Sequence, residues 1–280
     1  MFDCHAHILT RDIARFPPAG PTSENIKYLN DHAFEWGDLL SAMDANGVEG
    51  GLIVQRGQFY GADNRYVIWA AQQSQSRLSA VCALNSMAPD CATVGRELVA
   101  QGAVGLRLMG PPQQDRIDWL NGEHARSIWK LCAEEGIPLC VHLFPAARIQ
   151  GLQAISGLLD EFPVPTLVID HLANGPIESV SSPGIDDALR RVAEAEATVL
   201  KFTTIPLGQL KDRGIDAGSI LEAYIALVGP YRLVWGSDIT QSKGTYCEQV
   251  ALARHATALL DQDVAAKLLG DNARRIYLRG

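Results

Sequence analysis

Eight short apolar runs recur along the chain, and they are separated by connections too long for hairpins. They span residues 2–7, 51–55, 80–84, 104–108, 138–143, 166–171, 199–203 and 233–235. The runs are continuously apolar, mostly β-branched and not alternating, which is typical of parallel strands buried on both faces. Parallel strands require crossover connections, so this pattern leaves few possible folds.

Segments with helical periodicity lie between or after these runs. They span residues 36–46, 64–73, 92–101, 125–135, 152–161, 185–195, 220–228 and 246–260. Three of them close on Gly47, Gly102 and Gly136, the usual signal for a helix C-terminus. Strand then helix, repeated eight times, predicts a (β/α)8 TIM barrel, with residues 1–280 as one domain and residues 265–279 as a C-terminal extra helix. A doubly wound open sheet is the alternative, but no G-x-G-x-x-G follows the first run.

Composition narrows the possible partners and location. The formal charge of −8 and the pI near 5.4 argue against nucleic acid or an anionic membrane as partner, while a small anionic substrate remains compatible. No stretch of about 18 apolar residues is present. The six cysteines include no C-x-x-C pair, which predicts reduced, buried thiols in a cytoplasmic protein. The long irregular segment at residues 8–30 is expected to fold over the catalytic face.

Polar residues stand at the ends of six runs. They are His5 and His7, Gln55, Arg107, His142, Asp170 and His171, and Asp238 just after the eighth run. The active sites of barrels lie at the C-terminal ends of the strands, so these side chains are expected to converge. The other histidines, His32, His124 and His255, lie in or near predicted helices and are expected to be ordinary surface residues.

Each of these groups also has a purely structural interpretation. His142 could be a satisfied core histidine, Asp238 a helix N-cap, and Asp170-His171 a strand-end turn. Arg107 could reach solvent, and Lys201 could pair with a core carboxylate. All of these strand ends being polar by accident is much less plausible than a shared site.

The motifs together resemble a known superfamily. H-x-H on strand one, histidines on strands five and six and Asp238 after strand eight are similar to the amidohydrolases, and Leu269-Gly270-Asp271-Asn272-Ala273 resembles the tail of the amidohydrolase 2 branch. Within that branch, Val54-Gln55 with Gly61-Ala62-Asp63-Asn64, Gly105-Leu106-Arg107 and Val168-Ile169-Asp170-His171 resemble the 2-pyrone-4,6-dicarboxylate lactonase and sugar lactonase subgroup. That subgroup also includes a lactone isomerase.

The resemblance implies a hydrolase that opens a small carboxylated or sugar-derived lactone by water attack on the ester carbonyl. It implies Asp238 as the general base, with His5, His7 and His171 around the carbonyl. It implies that Arg107 and Asn64 bind the substrate, and Gln55 and His142 are added to that set by their positions. Lys201 matches a strand-seven lysine of the subgroup, for which no role is assigned.

The chain departs from the dicarboxylate lactonase in the loops. Residues 109–114 and 203–207 lack the additional arginines of that enzyme, and residues 239–242 replace its Trp-Pro-His-Pro. We therefore expect a lactone with one strongly recognised carboxylate rather than the pyrone dicarboxylate.

The metal content remains open at this level. His5, His7, His142 and Asp238 are suitable ligands for one divalent ion, with zinc favoured, although the dicarboxylate lactonase type works without metal. Arg107, standing where a carbamylated lysine would be needed, argues against a two-metal centre. The competing functions are a metal-dependent decarboxylase of the same branch, a lactone isomerase, and a binding protein that has lost catalysis.

Overall fold

The computed structural model describes residues 1–111 and 115–278, and its centre is one sheet of eight parallel strands in sequential order. The strands are β1 (Phe2–Ala6), β2 (Gly50–Val54), β3 (Leu78–Ala83), β4 (Ala103–Met109), β5 (Leu139–His142), β6 (Leu167–Ile169), β7 (Thr198–Thr203) and β8 (Leu233–Gly236). Each strand pairs in parallel with the next. The predicted (β/α)8 barrel is confirmed.

The first and last strands meet at Gly236. The backbone N–H of Asp238 donates to the carbonyl of His5 at 2.6 Å, just beyond the end of β8. A Cβ atom on Gly236 would lie 2.4 Å from the Cβ of His5, closer than real side chains approach. Glycine at this position therefore allows β8 to lie against β1 and brings Asp238 beside His5.

The helices pack around the outside of the sheet. They are α1 (Ser23–His32), α2 (Trp36–Ala45), α3 (Gly57–Tyr60), α4 (Arg65–Gln73), α5 (Cys91–Ala100), α6 (Asp118–Asn121), α7 (Glu123–Glu135), α8 (Arg148–Glu161), α9 (Asp187–Ala193), α10 (Thr204–Asp212), α11 (Ala217–Val228), α12 (Tyr246–Thr257), α13 (Gln262–Ala266) and α14 (Asn272–Tyr277). The eight helices expected from periodicity are all present, with ends shifted by at most four residues.

Three segments differ from the expectation. The segment at residues 8–30 is not wholly irregular, because α1 begins within it, where Thr22 accepts a hydrogen bond from the N–H of Asn25 at 3.1 Å. The segment after β7 forms α10 directly. The tail is two short helices joined by a π-helical turn, Lys267–Asp271, and residue 279 of the predicted tail helix lies outside the described residues.

A separate apolar cluster fills the interior of the barrel. Phe2, Val54 and Val234 from the strands pack there with Ile276 and Tyr277 of α14, which therefore covers the end of the barrel opposite to the strand C-termini. No helix within the described ranges is long and apolar enough to cross a membrane.

The cysteine prediction is correct for five residues and wrong for one. Cys4, Cys82, Cys91, Cys132 and Cys140 are free and buried. Cys247 is exposed because it lies on the outer face of α12.

Candidate active site

The C-terminal ends of the strands surround a cavity of about 140 Å³. Its lining includes His7, Arg107, His142, His171 and Asp238, all of which were expected at the site. His5 lies fully buried beneath it. The structure therefore brings the five residues His5, His7, His142, His171 and Asp238 to one end of the barrel.

Three atoms that could bind a metal ion, one each from His5, His7 and Asp238, form a close triangle. The two Nε2 atoms of the histidines lie 3.3 Å apart, because residues two apart in a strand project to the same side. Asp238 Oδ1 lies 3.4 Å from Nε2 of His5 and 3.3 Å from Nε2 of His7. His7 Nδ1 donates to the carbonyl of Val54 at 2.7 Å, so His7 presents an unprotonated Nε2 to the triangle when its ring is neutral.

Asp238 is held by a tight turn rather than serving as a helix cap. Its φ is +57°, and its carbonyl accepts hydrogen bonds from the N–H groups of Gln241 and Ser242 at 3.1 and 2.9 Å. Ser242 Oγ also donates to Asp238 Oδ2 at 3.1 Å, while Thr245 caps α12. Burial raises the pKa of Asp238, but the contacts with His7, His171 and His5 outweigh it and lower that pKa below its ordinary value.

Asp170 is the centre of a fully buried charge cluster. Arg107 donates to Asp170 Oδ2 through Nε at 3.0 Å and lies within 2.9 Å through Nη2, while Lys201 Nζ is 2.9 Å from Oδ1. Burial by itself raises the pKa of Asp170, yet the two cations hold it well below its ordinary value. Lys201 thus pairs with a core carboxylate, and Arg107 has two of its donor atoms engaged before any substrate arrives.

Lys201 also fixes the proton of His5. Its Nζ lies 3.0 Å from His5 Nδ1. Burial lowers the pKa of Lys201, but the neighbouring groups, Asp170 foremost, raise it by more, so the pKa lies above its ordinary value. The ammonium therefore stays charged and must be the hydrogen-bond donor. Burial and the charge of Lys201 keep the pKa of His5 well below its ordinary value. His5 is therefore neutral, with its proton on Nε2 facing the triangle.

His171 lies in a left-handed turn directly after β6. His171, Leu172, Ala173 and Asn174 all have φ between +49° and +56°, a conformation that is costly for residues other than glycine. Arg148 Nε donates to the carbonyl of Ala173 at 2.9 Å and supports the turn. The predicted strand therefore ends at Ile169.

The turn directs the ring of His171 into the cavity. Its Nδ1 lies 2.7 Å from Thr203 Oγ1, which leaves Nε2 for a ligand. Burial lowers the pKa of His171, although Asp238 and Asp170 oppose the effect.

His142 has no hydrogen-bond partner for either ring nitrogen among the residues described. Its ring packs edge-on against Phe144 and His171, at centroid distances of 4.4 and 4.9 Å. Burial, with the neighbouring His171 and Arg107, keeps its pKa well below the ordinary value. His142 therefore presents a neutral imidazole to the cavity.

Three of the four residues expected to bind a metal ion lie close together. Two groups of side chains have possible metal-binding atoms that all lie within 4.8 Å of one another. The first group is His5, His7 and Asp238, and the second is His5, Asp170 and His171. His142 belongs to neither group within the described chain.

Gln55 and Asn64 stabilise a loop instead of facing the cavity. Asn64 Nδ2 donates to the carbonyls of Ala62 and Ala83, both at 2.9 Å, and its Oδ1 accepts from the N–H of Ala83 at 2.9 Å. Gln55 Nε2 donates to the carbonyl of Asp63. The Gly-Ala-Asp-Asn stretch is thus tied to the ends of β2 and β3, and these contacts account for both amide nitrogens without a substrate.

Arg56 and Thr203 are among the residues of the site that sequence reasoning missed. Arg56 lines the cavity, and its position directly after Gln55 at the end of a predicted strand was the available signal. Thr203, the partner of His171, carried no such signal because a threonine at a strand end is common. Asp3, two residues before His5, accepts hydrogen bonds from Ser237 N–H at 2.9 Å and Tyr246 Oη at 3.1 Å.

The triangle has the spacing required by a tetrahedral metal ion. Donor atoms about 2.0–2.1 Å from such an ion lie about 3.3–3.4 Å from each other, which is the spacing found between His5, His7 and Asp238. His7 has the second hydrogen bond that orients a metal-binding imidazole. His5 would have to transfer its proton from Nε2 to Nδ1, where Asp170 Oδ1 lies 3.5 Å away. The spacing of the three atoms therefore fits a metal ion, and binding it would break the hydrogen bond from Lys201 to His5 Nδ1.

Solved structures share this fold at low sequence identity. A probable 2-pyrone-4,6-dicarboxylic acid hydrolase from Acinetobacter baumannii, with citric acid bound, is 18% identical with a TM-score of 0.73, covering 99% of both chains. An amidohydrolase from Burkholderia multivorans with bound zinc is 18% identical with a TM-score of 0.72, covering 100% of this chain and 99% of that one. The 5-carboxyvanillate decarboxylase of Sphingomonas paucimobilis is 16% identical with a TM-score of 0.67, with coverage of 100% and 99%.

The family itself is established at the level of sequence. No match was found among curated proteins. A family model described as amidohydrolase matches residues 2–279, which is nearly the whole chain. The chain therefore belongs to the amidohydrolase family, in the branch called amidohydrolase 2.

Proposed function

We propose that this amidohydrolase opens a small anionic lactone by adding water across its ester bond. The observation that carries the proposal is the state of Asp238. One carboxylate oxygen, Oδ2, is held by Ser242, while Oδ1 has no hydrogen-bond partner of accepted geometry in the part of the chain described. A fixed, ionised carboxylate at the cavity is suited to take a proton from water.

The reaction balances with Asp238 as the only proton carrier. As water attacks the ester carbonyl, a carbon–oxygen bond forms and one water proton moves to Asp238 Oδ1. When the tetrahedral intermediate collapses, the ring carbon–oxygen bond breaks and the same proton passes to the leaving alkoxide. The product is an open hydroxy acid, which ionises at neutral pH.

The neutral histidines supply hydrogen bonds to the developing oxyanion. His171 and His142 both line the cavity, and the low pKa of each keeps the ring neutral, with one N–H that can donate. Donors fixed before the reaction stabilise the transition state without a cost of reorganisation. Bound to His5, His7 and Asp238, a divalent ion such as zinc would act as a Lewis acid and lower the pKa of water.

Decarboxylation of an aromatic acid is the second candidate. The observation that favours it is the metal-compatible triangle of His5, His7 and Asp238 within a fold that also occurs in the 5-carboxyvanillate decarboxylase. Asp170 is already paired with Arg107 and Lys201, and it has no assigned role in either reaction.

Mass spectrometry of the products distinguishes these reactions. A panel of carboxylated and polyhydroxylated lactones and of aromatic acids is incubated with the enzyme, with and without added zinc, using Asp238→Asn as the control. We expect products that have gained one water from the lactones. Loss of CO₂ from the acids would establish the decarboxylase, and an unchanged mass with a new retention time would establish an isomerase. No reaction of any substrate would favour a binding protein.

A further inference from the structure

We propose that Arg56 is the group that binds the carboxylate of the substrate, so that the enzyme selects a lactone with one carboxylate. This inference rests on the proposed function and specifies its substrate. It assigns to Arg56 a role that the sequence had suggested for Arg107.

Arg56 enters the cavity directly from the end of β2. It lies against the same cavity as Arg107 and Asp238, and it is only 8% exposed. Its Nη1 donates to Thr240 Oγ1 at 3.1 Å, and Nη2 donates to Gln241 Oε1 at 2.8 Å. Both partners belong to the loop after β8 that also carries Asp238.

Three neutral side chains hold the guanidinium in place. The ring of Tyr28 in α1 lies 5.7 Å from its central carbon, and the Tyr28 hydroxyl lies 3.5 Å from Nη2. Thr240, Gln241 and Tyr28 orient the positive charge without neutralising it. Such a pre-oriented guanidinium loses little entropy when a ligand binds.

The charge of Arg56 has no acidic partner within the described ranges. Arg107 and Lys201 both pair with Asp170, whereas the ion pairs found there include none with Arg56. The Nε of Arg56 is buried and lacks a hydrogen-bond acceptor. A buried cation without a counter-ion is costly, and a carboxylate from the substrate would compensate for it.

The chemistry of the guanidinium defines the ligand class. An arginine fork pairs in a bidentate manner with a planar carboxylate, whereas a neutral sugar lactone would leave the charge unpaired. Of the two arginines described at the cavity, Arg107 already has its Nε and Nη2 bound to Asp170, whereas Arg56 has no carboxylate partner among the described residues. One carboxylate, attached beside the lactone ring, is therefore what the site recognises.

The test measures binding separately from turnover. In an Asp238→Asn background, calorimetry measures the binding of two ligands. One is a γ-butyrolactone with one ring carboxylate, and the other is the same lactone with a neutral carboxamide in place of the carboxylate. We expect the carboxylate to bind about tenfold or more tightly than the carboxamide. Arg56→Gln should weaken carboxylate binding by about 10- to 100-fold and carboxamide binding by less than about threefold. Arg56→Lys should restore only part of the loss.

Arg96→Gln is the matched control, because Arg96 is exposed and does not line the cavity. Its Nε pairs with Glu135 at 2.7 Å. It should leave both affinities unchanged. Equal losses for carboxylate and carboxamide in Arg56→Gln, or equal affinities in the Asp238→Asn parent, would overturn the inference. If Arg56→Gln does not fold, Arg56→Lys and the parent comparison still decide it.

Turnover with Asp238 intact distinguishes this inference from the proposed function. Selective carboxylate binding without lactone opening would leave Arg56 as the anion site and reject the lactonase. Opening of both lactones at equal rates, with equal losses in Arg56→Gln, would retain the lactonase and reject the role of Arg56.

Discussion

Lys201 Nζ lies 2.9 Å from Asp170 Oδ1, and both side chains are completely buried beneath the cavity. The same ammonium lies 3.0 Å from His5 Nδ1, so one lysine joins the buried charge cluster to the His5–His7–Asp238 triangle. Lys201 therefore has a structural role, and it orients His5 through a hydrogen bond.

Replacing Lys201 with methionine should destabilise the fold. The substitution leaves Arg107 as the one lysine or arginine paired with Asp170 among the described residues, and breaking a buried ion pair typically costs about 3–5 kcal/mol. We expect a loss near the lower end of that range, because Arg107 remains, measured as the free energy of unfolding in urea. Lys130→Met is the control, since its pair with Glu134 is exposed and should change stability by about 0.5 kcal/mol or less. Equal stabilities of wild type and Lys201→Met would contradict the assignment.

The difference in stability between wild type and Lys201→Met should depend on pH. The folded pKa of Asp170 is lowered, so its ionisation stabilises the fold above the ordinary aspartate pKa of 3.8, and this contribution is lost as pH falls toward the folded pKa. The gap between wild type and Lys201→Met should therefore be constant near neutral pH and shrink below about pH 4. Urea unfolding at several pH values measures it, and a gap that widens in acid would contradict the buried pair.

The barrel was predictable because its signals are local and repeated. Eight apolar runs and the glycines after α2, α5 and α7 predict the order of elements. The helix α1 was missed because its apolar pattern is weak and it lies within a segment rich in proline and glycine. A strand-end turn at Asp170-His171 was one of the alternatives, but its left-handed conformation was not predicted, since no glycine signals it and long-range contacts such as that from Arg148 support it.

Most members of the candidate site were predictable from the sequence, but their roles were not. The strand ends indicated which side chains meet, because the fold fixes that edge of the sheet. Partners depend on distances between strands, which a sequence does not contain. Asn64 therefore proved to be saturated by backbone groups, and Arg107 proved to be engaged by Asp170, while Arg56 remained without an acidic partner in the described part of the chain.

Zinc binding should depend on the triangle and not on His142. Elemental analysis and competition with a chelating dye would measure one zinc per chain in the wild type. His7→Gln removes a triangle atom and should lower the affinity by about tenfold or more, whereas His142→Gln should change it little. Equal losses in the two variants would restore His142 as a ligand, and no zinc bound by the wild type would reject the metal site.

Thiol labelling should separate Cys247 from the buried cysteines. Burial raises the pKa of Cys82 to about 12 and, with smaller effects from nearby charges, that of Cys4 to about 12, so both thiols are un-ionised and inaccessible at neutral pH. In native protein we expect one rapidly reacting thiol, lost in Cys247→Ser, and six after denaturation. Rapid reaction of a second native thiol would show that the barrel core opens.

Asp238→Asn should abolish most of the catalysis while preserving the cavity. The amide keeps the shape of the side chain and can still accept a hydrogen bond from Ser242, but it cannot take a proton from water. Loss of a general base usually lowers kcat by about 10²–10⁴, and KM should change little because the substrate carboxylate is proposed to bind at Arg56. Steady-state kinetics on the best lactone would measure both constants. Asp44→Asn is the control, since Asp44 pairs with Arg77 on the surface and should leave kcat unchanged. Turnover near the wild-type rate in Asp238→Asn would place the base elsewhere, and a rise in KM with unchanged kcat would make Asp238 a binding residue only.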